Sequence, residues 1–172
     1  MSTETSQLAN WSPVSDVFEP SQLTMLAADI DRWLAACAAD TPTIHMVDRA
    51  NAADVQQGHA RWYVRMTGEE KEFTTVWLTL DQRTLRYETY VMPSPAENHR
   101  EVFEMALRRN ERLVGAHFAI GIEDALFLRG ELPLGLLTEA ELDRIIGSLY
   151  ATVEASFPAL IRLGFASQFN ES

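Results

Sequence analysis

Residues 60–92, ARWYVRMTGEEKEFTTVWLTLDQRTLRYETYVM, carry the pattern from which the fold class follows. Apolar and polar side chains alternate in the first and last segments, and the middle segment is rich in Thr, Val and Trp, which is typical of β-strands. Turn-forming residues separate the three segments. Because both connections are short, we predict an antiparallel meander. Its predicted strands are Ala60–Thr67, Glu72–Leu80 and Leu85–Met92.

Two helices are predicted on either side of this meander. The first begins near Pro20, because proline is favoured in the first turn of a helix. The second begins after the meander, where Ser94 and Glu97 have the spacing of a capping box around Pro95. Apolar residues recur at helical spacing in both segments, so each helix has one face suited to packing on a sheet.

A third helix is predicted at the end of the chain. Thr138 and Glu141 have the spacing of a second capping box, and the helix is expected to end at Gly164. Pro158 predicts a kink or a restart, since the residue before a proline disfavours the α conformation. Gly147 lies inside the helix, and we interpret it as a place of close approach to another element.

The remaining segments complete a prediction of an α+β fold. A second hairpin is expected from Gly115–Ile120 and Ala125–Glu131, and a short strand is possible at Thr43–Val47, with a mobile loop up to residue 59. The simplest packing is a five-stranded antiparallel sheet flanked by helices, in the order α-β-β-β-α-β-β-α. We expect an N-terminal arm at residues 1–19, one domain at 20–166 and a C-terminal tail at 167–172.

Charge and composition exclude several classes of partner. The chain has 25 acidic and 14 basic residues and a net charge of −11. Such a surface repels nucleic acids and anionic membranes, so neither is expected as a partner. The sequence shows neither a signal peptide nor an apolar run of about 18 residues. The single cysteine, Cys37, is typical of a reducing compartment, and we therefore expect a cytoplasmic protein.

Motifs for catalysis, cofactor binding and metal binding are absent from the sequence. There is no nucleotide-binding glycine motif and no nucleophile elbow. The four histidines lack the spacing of metal ligands, and Cys37 has no basic sequence neighbour that would favour a thiolate. We therefore predict that the chain is not an enzyme and has no catalytic residue, no cofactor and no metal.

His99 and Asn110 are the one polar pair that invites a functional interpretation. In a continuous helix their side chains lie within about 20° of each other, on the apolar face. They would then form a polar pocket for a small molecule or for an unrecognised reaction. The structural alternative is that His99 closes the first helical turn and Asn110 binds a neighbouring backbone group.

The meander offers a candidate protein-interaction face. The middle strand presents Phe73 and Trp77 on one side and aliphatic residues on the other. Tyr63, Tyr90, Met92 and Phe127 are expected to extend the aromatic side. A sheet covered on one face alone should alternate more cleanly, so this second face either receives a partner or is covered by the N-terminal arm.

From about residue 60 to 166 the chain resembles the YbjN family of bacterial sensory transduction regulators, and its actinobacterial members in particular. The resemblance rests on short motifs in a fixed order: FTTV (73–76), PAENH (95–99), RRN (108–110), GAHFAI (115–120), GELPL (130–134), LDRIIG (142–147) and LGF (163–165). It implies a fold like that of the type III secretion chaperones, often dimeric. It implies no catalytic residue.

Besides a purely structural subunit with a large obligate interface, two hypotheses of function follow from the sequence. The first is a non-enzymatic protein-binding module, chaperone-like or regulatory, that forms a homodimer and uses the face of Tyr63, Phe73 and Trp77. The second is a small-molecule-binding domain or enzyme with a pocket near His99 and Asn110. The surface that a partner or ligand covers distinguishes them.

Overall fold

Six strands and four α-helices make up the part of the chain that the computed structural model describes, residues 17–50 and 59–170. The helices are α1 (Pro20–Asp40), α2 (His99–Arg109), α3 (Glu139–Gly164) and α4 (Ala166–Asn170). The strands are β1 (Ile44–Arg49), β2 (Ala60–Thr67), β3 (Phe73–Leu80), β4 (Thr84–Met92), β5 (His117–Ile120) and β6 (Leu126–Pro133). Three short 3-10 helices lie at Asn110–Arg112, Ile122–Asp124 and Leu134–Leu136.

The strands form one sheet in the order β1-β2-β3-β4-β6-β5, and every neighbouring pair is antiparallel. The α+β class and the meander β2–β3–β4 are therefore confirmed. The second hairpin joins the sheet through β6, which pairs along the length of β4. Helix α2 makes the crossing between these two parts of the sheet.

The five-strand prediction is wrong, because Ile44–Arg49 forms a sixth strand. The sequence indicated only a short strand at Thr43–Val47 and a mobile loop after it. The strand continues because Arg49 pairs with Trp62 of β2 and binds Asp31 of α1 at 2.7 Å. Contacts with distant parts of the chain thus extend β1, and sequence patterns do not report such contacts.

The core lies between the sheet and helices α1, α2 and α3, which pack on the same face. Every second side chain of β2, β3 and β4 points into it, and among these Val64, Val76 and Leu78 are fully buried. Each such aliphatic side chain stabilises the fold by about 1.5–3 kcal/mol through its removal from water. The alternation leaves the other set of strand side chains on the opposite face.

Helix α2 begins at His99, and the predicted capping box at Ser94 is wrong. Asn98 precedes the helix in a left-handed conformation, with φ 52° and ψ 38°. The carboxylate of Glu97 is used elsewhere, because it accepts hydrogen bonds from the amide and the hydroxyl of Ser167, at 2.6 and 3.0 Å. This segment is therefore fixed by the C-terminal end of the chain and not by its own helix.

Helix α3 begins and ends as predicted, after Thr138 and at Gly164. The Thr138 hydroxyl accepts a hydrogen bond from the amide of Glu141 at 3.2 Å, which confirms the cap. Pro158 lies inside the helix and does not make it restart, because the helix is continuous over Glu139–Gly164. Proline cannot donate the backbone hydrogen bond that a helix residue normally makes. Leu160, two residues later, is fully buried in the core, and this packing stabilises the helix in place of that hydrogen bond.

The interpretation of Gly147 is also wrong. The residue is exposed, and a methyl group on its α-carbon would meet no atom within 4 Å. No close approach of another element therefore requires glycine at this position.

One carboxylate joins α3 to the turn between β2 and β3. Glu154 accepts hydrogen bonds from three successive backbone amides, those of Glu69, Glu70 and Lys71, at 2.7, 3.0 and 3.2 Å. Nearby, the Tyr150 hydroxyl donates to the Thr67 carbonyl at 3.0 Å. Successive amides that converge on one anion are a strong local interaction, so this hairpin and α3 are held in a fixed relation.

Candidate protein-interaction face

Aromatic rings occupy the face of the sheet opposite the helices. Tyr63 and Trp77 are direct cross-strand partners, and their ring centres are 5.1 Å apart in an edge-to-face arrangement. Tyr90 and Phe127 form a second edge-to-face pair at 5.6 Å, across β4 and β6. Edge-to-face contact is one of the preferred arrangements of aromatic rings, so each pair contributes a favourable interaction on this face.

Arginine guanidinium groups lie over these rings. Arg61 is 4.1 Å from the ring centre of Trp77, and Arg129 is 4.6 Å from that of Phe127. Arg65 lies over Phe73 at 4.0 Å. We call this surface the arginine–aromatic face; it consists of Arg61, Tyr63, Arg65, Phe73, Trp77, Glu88, Tyr90, Phe127 and Arg129. Stacked guanidinium groups keep their edge donors available for carboxylates.

A single carboxylate lies at the centre of this face. Glu88 pairs with Arg129 at 2.8 Å and with Arg61 at 3.7 Å. Arg65 forms no ion pair with any carboxylate of the described residues, and the Nε atoms of Arg61 and Arg65 have no hydrogen-bond partner. The arginine–aromatic face therefore carries more positive than negative charge, on a chain whose net charge is −11.

A hollow of about 370 Å³ opens on the arginine–aromatic face. Its lining is mostly aromatic and aliphatic, with Glu88 and Arg129 as the charged groups; the other residues are Trp77, Tyr90, Ile122 and Phe127. The volume is sufficient for one large apolar side chain of a partner.

The rim of the hollow is formed by a strained turn. Glu123 and Asp124 both have a φ of 55°, in the left-handed region that residues with a side chain seldom adopt. The turn is closed by a hydrogen bond from the Gly121 amide to the Ala125 carbonyl at 2.8 Å. It leaves Ile122 75% exposed beside the rings, and strain of this kind is often retained at functional sites.

Lys71 lies next to this face and is the only lysine of the chain. Its ammonium group donates to the Tyr90 carbonyl at 2.5 Å and lies 5.2 Å from the centre of the Tyr90 ring. Burial lowers the pKa of Lys71 to about 8, although the Glu154 carboxylate acts in the opposite direction. Burial also raises the pKa of Tyr90 above its ordinary value, with a smaller contribution from Glu123.

The predicted interaction residues share one face, and the structure adds charged residues to them. Tyr63 and Trp77 are in contact, and Phe73 lies at the start of the same strand as Trp77. Alternation along β2 places Arg61 and Arg65 beside Tyr63, so the same pattern that predicted the rings contained this signal. The contribution of Arg129 depends on the β4–β6 register, which no local pattern reveals.

Met92 was expected on this face and lies instead in the core, fully buried. The pairing of β4 with β6 shifts between Tyr90 and Met92, so the strict alternation of β4 ends there. The N-terminal arm, the alternative cover for the arginine–aromatic face, lies largely in residues 1–16, outside the described part of the chain.

The structure does not bring His99 and Asn110 together in a pocket. Asn110 uses both ends of its amide on the backbone of Phe118: its Oδ1 accepts from the amide at 2.7 Å, and its Nδ2 donates to the carbonyl at 3.3 Å. His99 is exposed, with its ring edge-to-face against Phe103 at 6.3 Å. The geometry of Asn110 agrees with the structural alternative, in which it binds a neighbouring backbone.

Cys37 and the potential metal ligands are the other reactive groups of the described residues. Cys37 is half-buried, and burial together with a hydrogen bond to Asp143 raises the pKa of its thiol, which disfavours the thiolate. Within residues 17–50 and 59–170, no three His, Cys, Asp or Glu side chains are grouped as metal ligands. In the same residues, no helix combines the length and the apolar character needed to cross a membrane.

The family to which the chain belongs is decided by a match to residues 45–162, from β1 to the last turns of α3. The matching family model is YbjN, described as "Putative bacterial sensory transduction regulator", and it covers more than half of the 172 residues. The chain belongs to the YbjN family. The match includes the whole arginine–aromatic face, so this surface lies inside the YbjN unit.

Mycobacterial proteins are among its relatives. An uncharacterized protein of Mycobacterium tuberculosis is 33% identical over 104 residues, which are 60% of this chain and 57% of that protein. An uncharacterized protein of Mycobacterium leprae is 30% identical over 117 residues, 68% of this chain and 64% of that protein. The similarity thus spans less than two thirds of the length of these relatives.

Proposed function

We propose that this YbjN-family chain is a non-enzymatic protein-binding module, chaperone-like or regulatory, that holds its partner on the arginine–aromatic face. The observation that supports the proposal is this face itself, where half-buried rings and stacked arginines lie on strands that carry helices only on their other side. Aromatic residues and arginine are the types most enriched at the centres of protein interfaces.

The hollow and the strained rim give further support. A protein interface commonly anchors on one apolar side chain in a preformed recess, and the hollow bounded by Trp77, Tyr90 and Phe127 is such a recess. The strained turn that exposes Ile122 costs about 1–3 kcal/mol at each left-handed residue, a cost that a binding role explains. No corresponding observation favours a small-molecule site at His99 and Asn110, whose geometry is described above.

Dimer formation, a cytoplasmic location and a type III chaperone-like fold are parts of the same proposal, and the YbjN resemblance supports them. A dimer that paired two arginine–aromatic faces would bring together the Arg65 side chains of both copies, which have no carboxylate partner among the described residues, in an unfavourable cationic interface. We therefore expect the dimer contact on another surface. Light scattering on the purified chain measures the oligomeric state, and the W77A variant should leave it unchanged.

A crosslinking experiment tests the binding face. A photoreactive amino acid replaces Thr75, which lies between Phe73 and Trp77 on the same side of β3, and the chain is irradiated inside the bacteria that produce it. The proposal predicts a discrete crosslinked protein from this position. The matched control carries the same group at Leu107, an exposed residue of α2 on the helix side.

The W77A substitution in the Thr75-labelled chain should remove the crosslink while the circular dichroism spectrum stays unchanged. Equal crosslinking from both positions, or none from Thr75, would count against a binding role for this face.

A further inference from the structure

We infer that the partner segment held on the arginine–aromatic face is acidic and carries one large apolar side chain. This inference rests on the proposed function and specifies the chemistry of the partner. It follows from the net charge of the face and from the shape of its hollow.

The first argument is an excess of arginine over carboxylate. Arg61 and Arg129 share the single carboxylate of Glu88, and Arg65 has none among the described residues. A guanidinium presents five donors in a plane, so one shared carboxylate leaves most of these donors without a charged acceptor. Stacking on the rings holds each guanidinium in place beforehand, which reduces the entropy lost when a carboxylate binds.

The second argument is the contrast with the rest of the molecule. The arginine–aromatic face together with Lys71 contains four bases and one acid, and the rim of its hollow adds two acids, Glu123 and Asp124, whereas the chain as a whole has a net charge of −11. An acidic segment is therefore repelled less by this face than by the average surface of the chain. The Debye length is about 8 Å at physiological ionic strength, so the local excess of arginine decides the interaction at contact distance.

The third argument is the neighbouring hollow, which fixes where an apolar anchor would lie. Arg129 and Glu88 are at its lining, so a side chain between Trp77 and Phe127 brings the flanking residues of the segment next to the arginines. The segment thus needs acidic residues next to a bulky apolar one.

Single-stranded nucleic acid is the other polymer that arginines and rings bind, and it fits this face less well. Bases stack on free ring faces, but here guanidinium groups lie over Trp77, Phe73 and Phe127. The central Glu88 carboxylate would also repel phosphate groups. A second copy of the chain through the same face meets the cationic conflict described above.

The test uses the full chain and two synthetic peptides of about ten residues. One has a central phenylalanine flanked on both sides by glutamates, and the other has glutamines in place of the glutamates. Binding is measured by calorimetry and mapped by NMR. We expect the acidic peptide to bind at least about tenfold more tightly, with shifts at Trp77 and Phe127, and to weaken as salt is added.

Variants identify the residues responsible. R65Q and R129Q should each weaken the acidic peptide by about tenfold and leave the glutamine peptide unchanged. R112Q, in the exposed 3-10 helix after α2, is the matched control and should change neither. R65Q leaves no carboxylate of the described chain unpaired, so its folding is expected to be intact.

Three results would overturn the inference. Equal binding of both peptides on this face would remove the acidic requirement while the protein-binding function survived. Tighter binding of an oligouridine of similar length would replace the peptide by nucleic acid. If neither peptide binds but the Thr75 crosslink forms, the partner has a different chemistry; if both fail, the proposed function fails as well.

Discussion

The two faces of the sheet are built from the same strands and carry different kinds of chemistry. Leu78 and Trp77 are neighbours in β3, and Leu78 is fully buried under the helices whereas Trp77 lies half-exposed under Arg61. On the helix side the strand residues are mostly aliphatic. On the other side rings alternate with arginines, and a carboxylate lies between them.

This difference teaches that burial alone does not explain the composition of the arginine–aromatic face. A face that served only stability would be covered, or would carry small polar residues in contact with water. Rings and arginines that remain half-exposed contribute less to folding than core residues do. Their effects should therefore separate, with stability on one face and recognition on the other.

The largest expected effect tests this separation directly. Leu78→Ala should lower the free energy of unfolding by about 2–5 kcal/mol, because it leaves a cavity in the core. Trp77→Ala should lower it by about 1–2 kcal/mol, since the ring is partly exposed. Urea titrations of both variants, followed by circular dichroism, give the two values.

Partner binding should show the opposite order for the same two variants. Leu78→Ala should keep its affinity for the acidic peptide at a temperature where it is folded, and Trp77→Ala should lose at least about tenfold. If the two substitutions affect stability and binding in the same proportion, the faces do not have separate roles.

The next effect concerns the contact between helix α3 and the turn that joins β2 to β3. Glu154→Gln should destabilise the chain by about 2 kcal/mol, because three backbone amides lose a charged acceptor. Glu101→Gln, on the exposed surface of α2, is the control and should change stability by less than about 0.5 kcal/mol. Urea titration measures both, and similar values for the two would show that Glu154 has no special part in the fold.

A smaller effect concerns Lys71, at the border of the arginine–aromatic face. Its pKa of about 8 in the folded chain is below the ordinary value of 10.5, so the unfolded chain binds more protons between these values. Stability contributed by this group should therefore rise with pH above about 8. We expect the wild type to gain about 1 kcal/mol relative to Lys71→Met between about pH 7 and about pH 9.5, after allowance for partial solvent exposure.

The measurement for Lys71 is a series of urea titrations across this pH range. Its upper limit stays below the ionisation of Tyr87, Tyr90 and Tyr150, because burial raises the pKa values of these three groups. A constant difference between wild type and Lys71→Met at all pH values would show that the Lys71 ammonium is not desolvated.

The smallest effect lies away from both faces of the sheet. Gly147→Ala should stabilise the chain by about 0.5–1 kcal/mol, since alanine favours the helix and no neighbouring atom is displaced. Binding of the acidic peptide should not change. Thermal unfolding measures the gain. A melting temperature below that of the wild type would mean that the added methyl group collides with a neighbouring atom, which contradicts the open space around Gly147.

Local sequence patterns were sufficient for the parts of the fold that local interactions determine. Alternation gave β2, β3 and β4, and the Thr138 cap gave the start of α3. They failed where a distant contact decides. Strand β1 depends on its pairing with β2, and the start of α2 depends on Glu97, whose carboxylate is bound at Ser167.

The candidate site was predictable to the same extent. Tyr63, Phe73 and Trp77 followed from alternation, because neighbouring strands of a known meander share a face. Arg129 required the β4–β6 register, and the exclusion of Met92 required the irregularity in β4. Stacking geometry and the shared use of Glu88 are three-dimensional properties, so no spacing in the sequence predicts them.

The order of the strands has a consequence for behaviour at high protein concentration. The two outermost strands are β1, which carries Asp48 and Arg49, and β5, which has only four residues. Short or charged edge strands resist pairing with further strands, so aggregation by sheet extension is disfavoured. A partner gains little from adding its own strand to this sheet, and selection among partners is left to side chains.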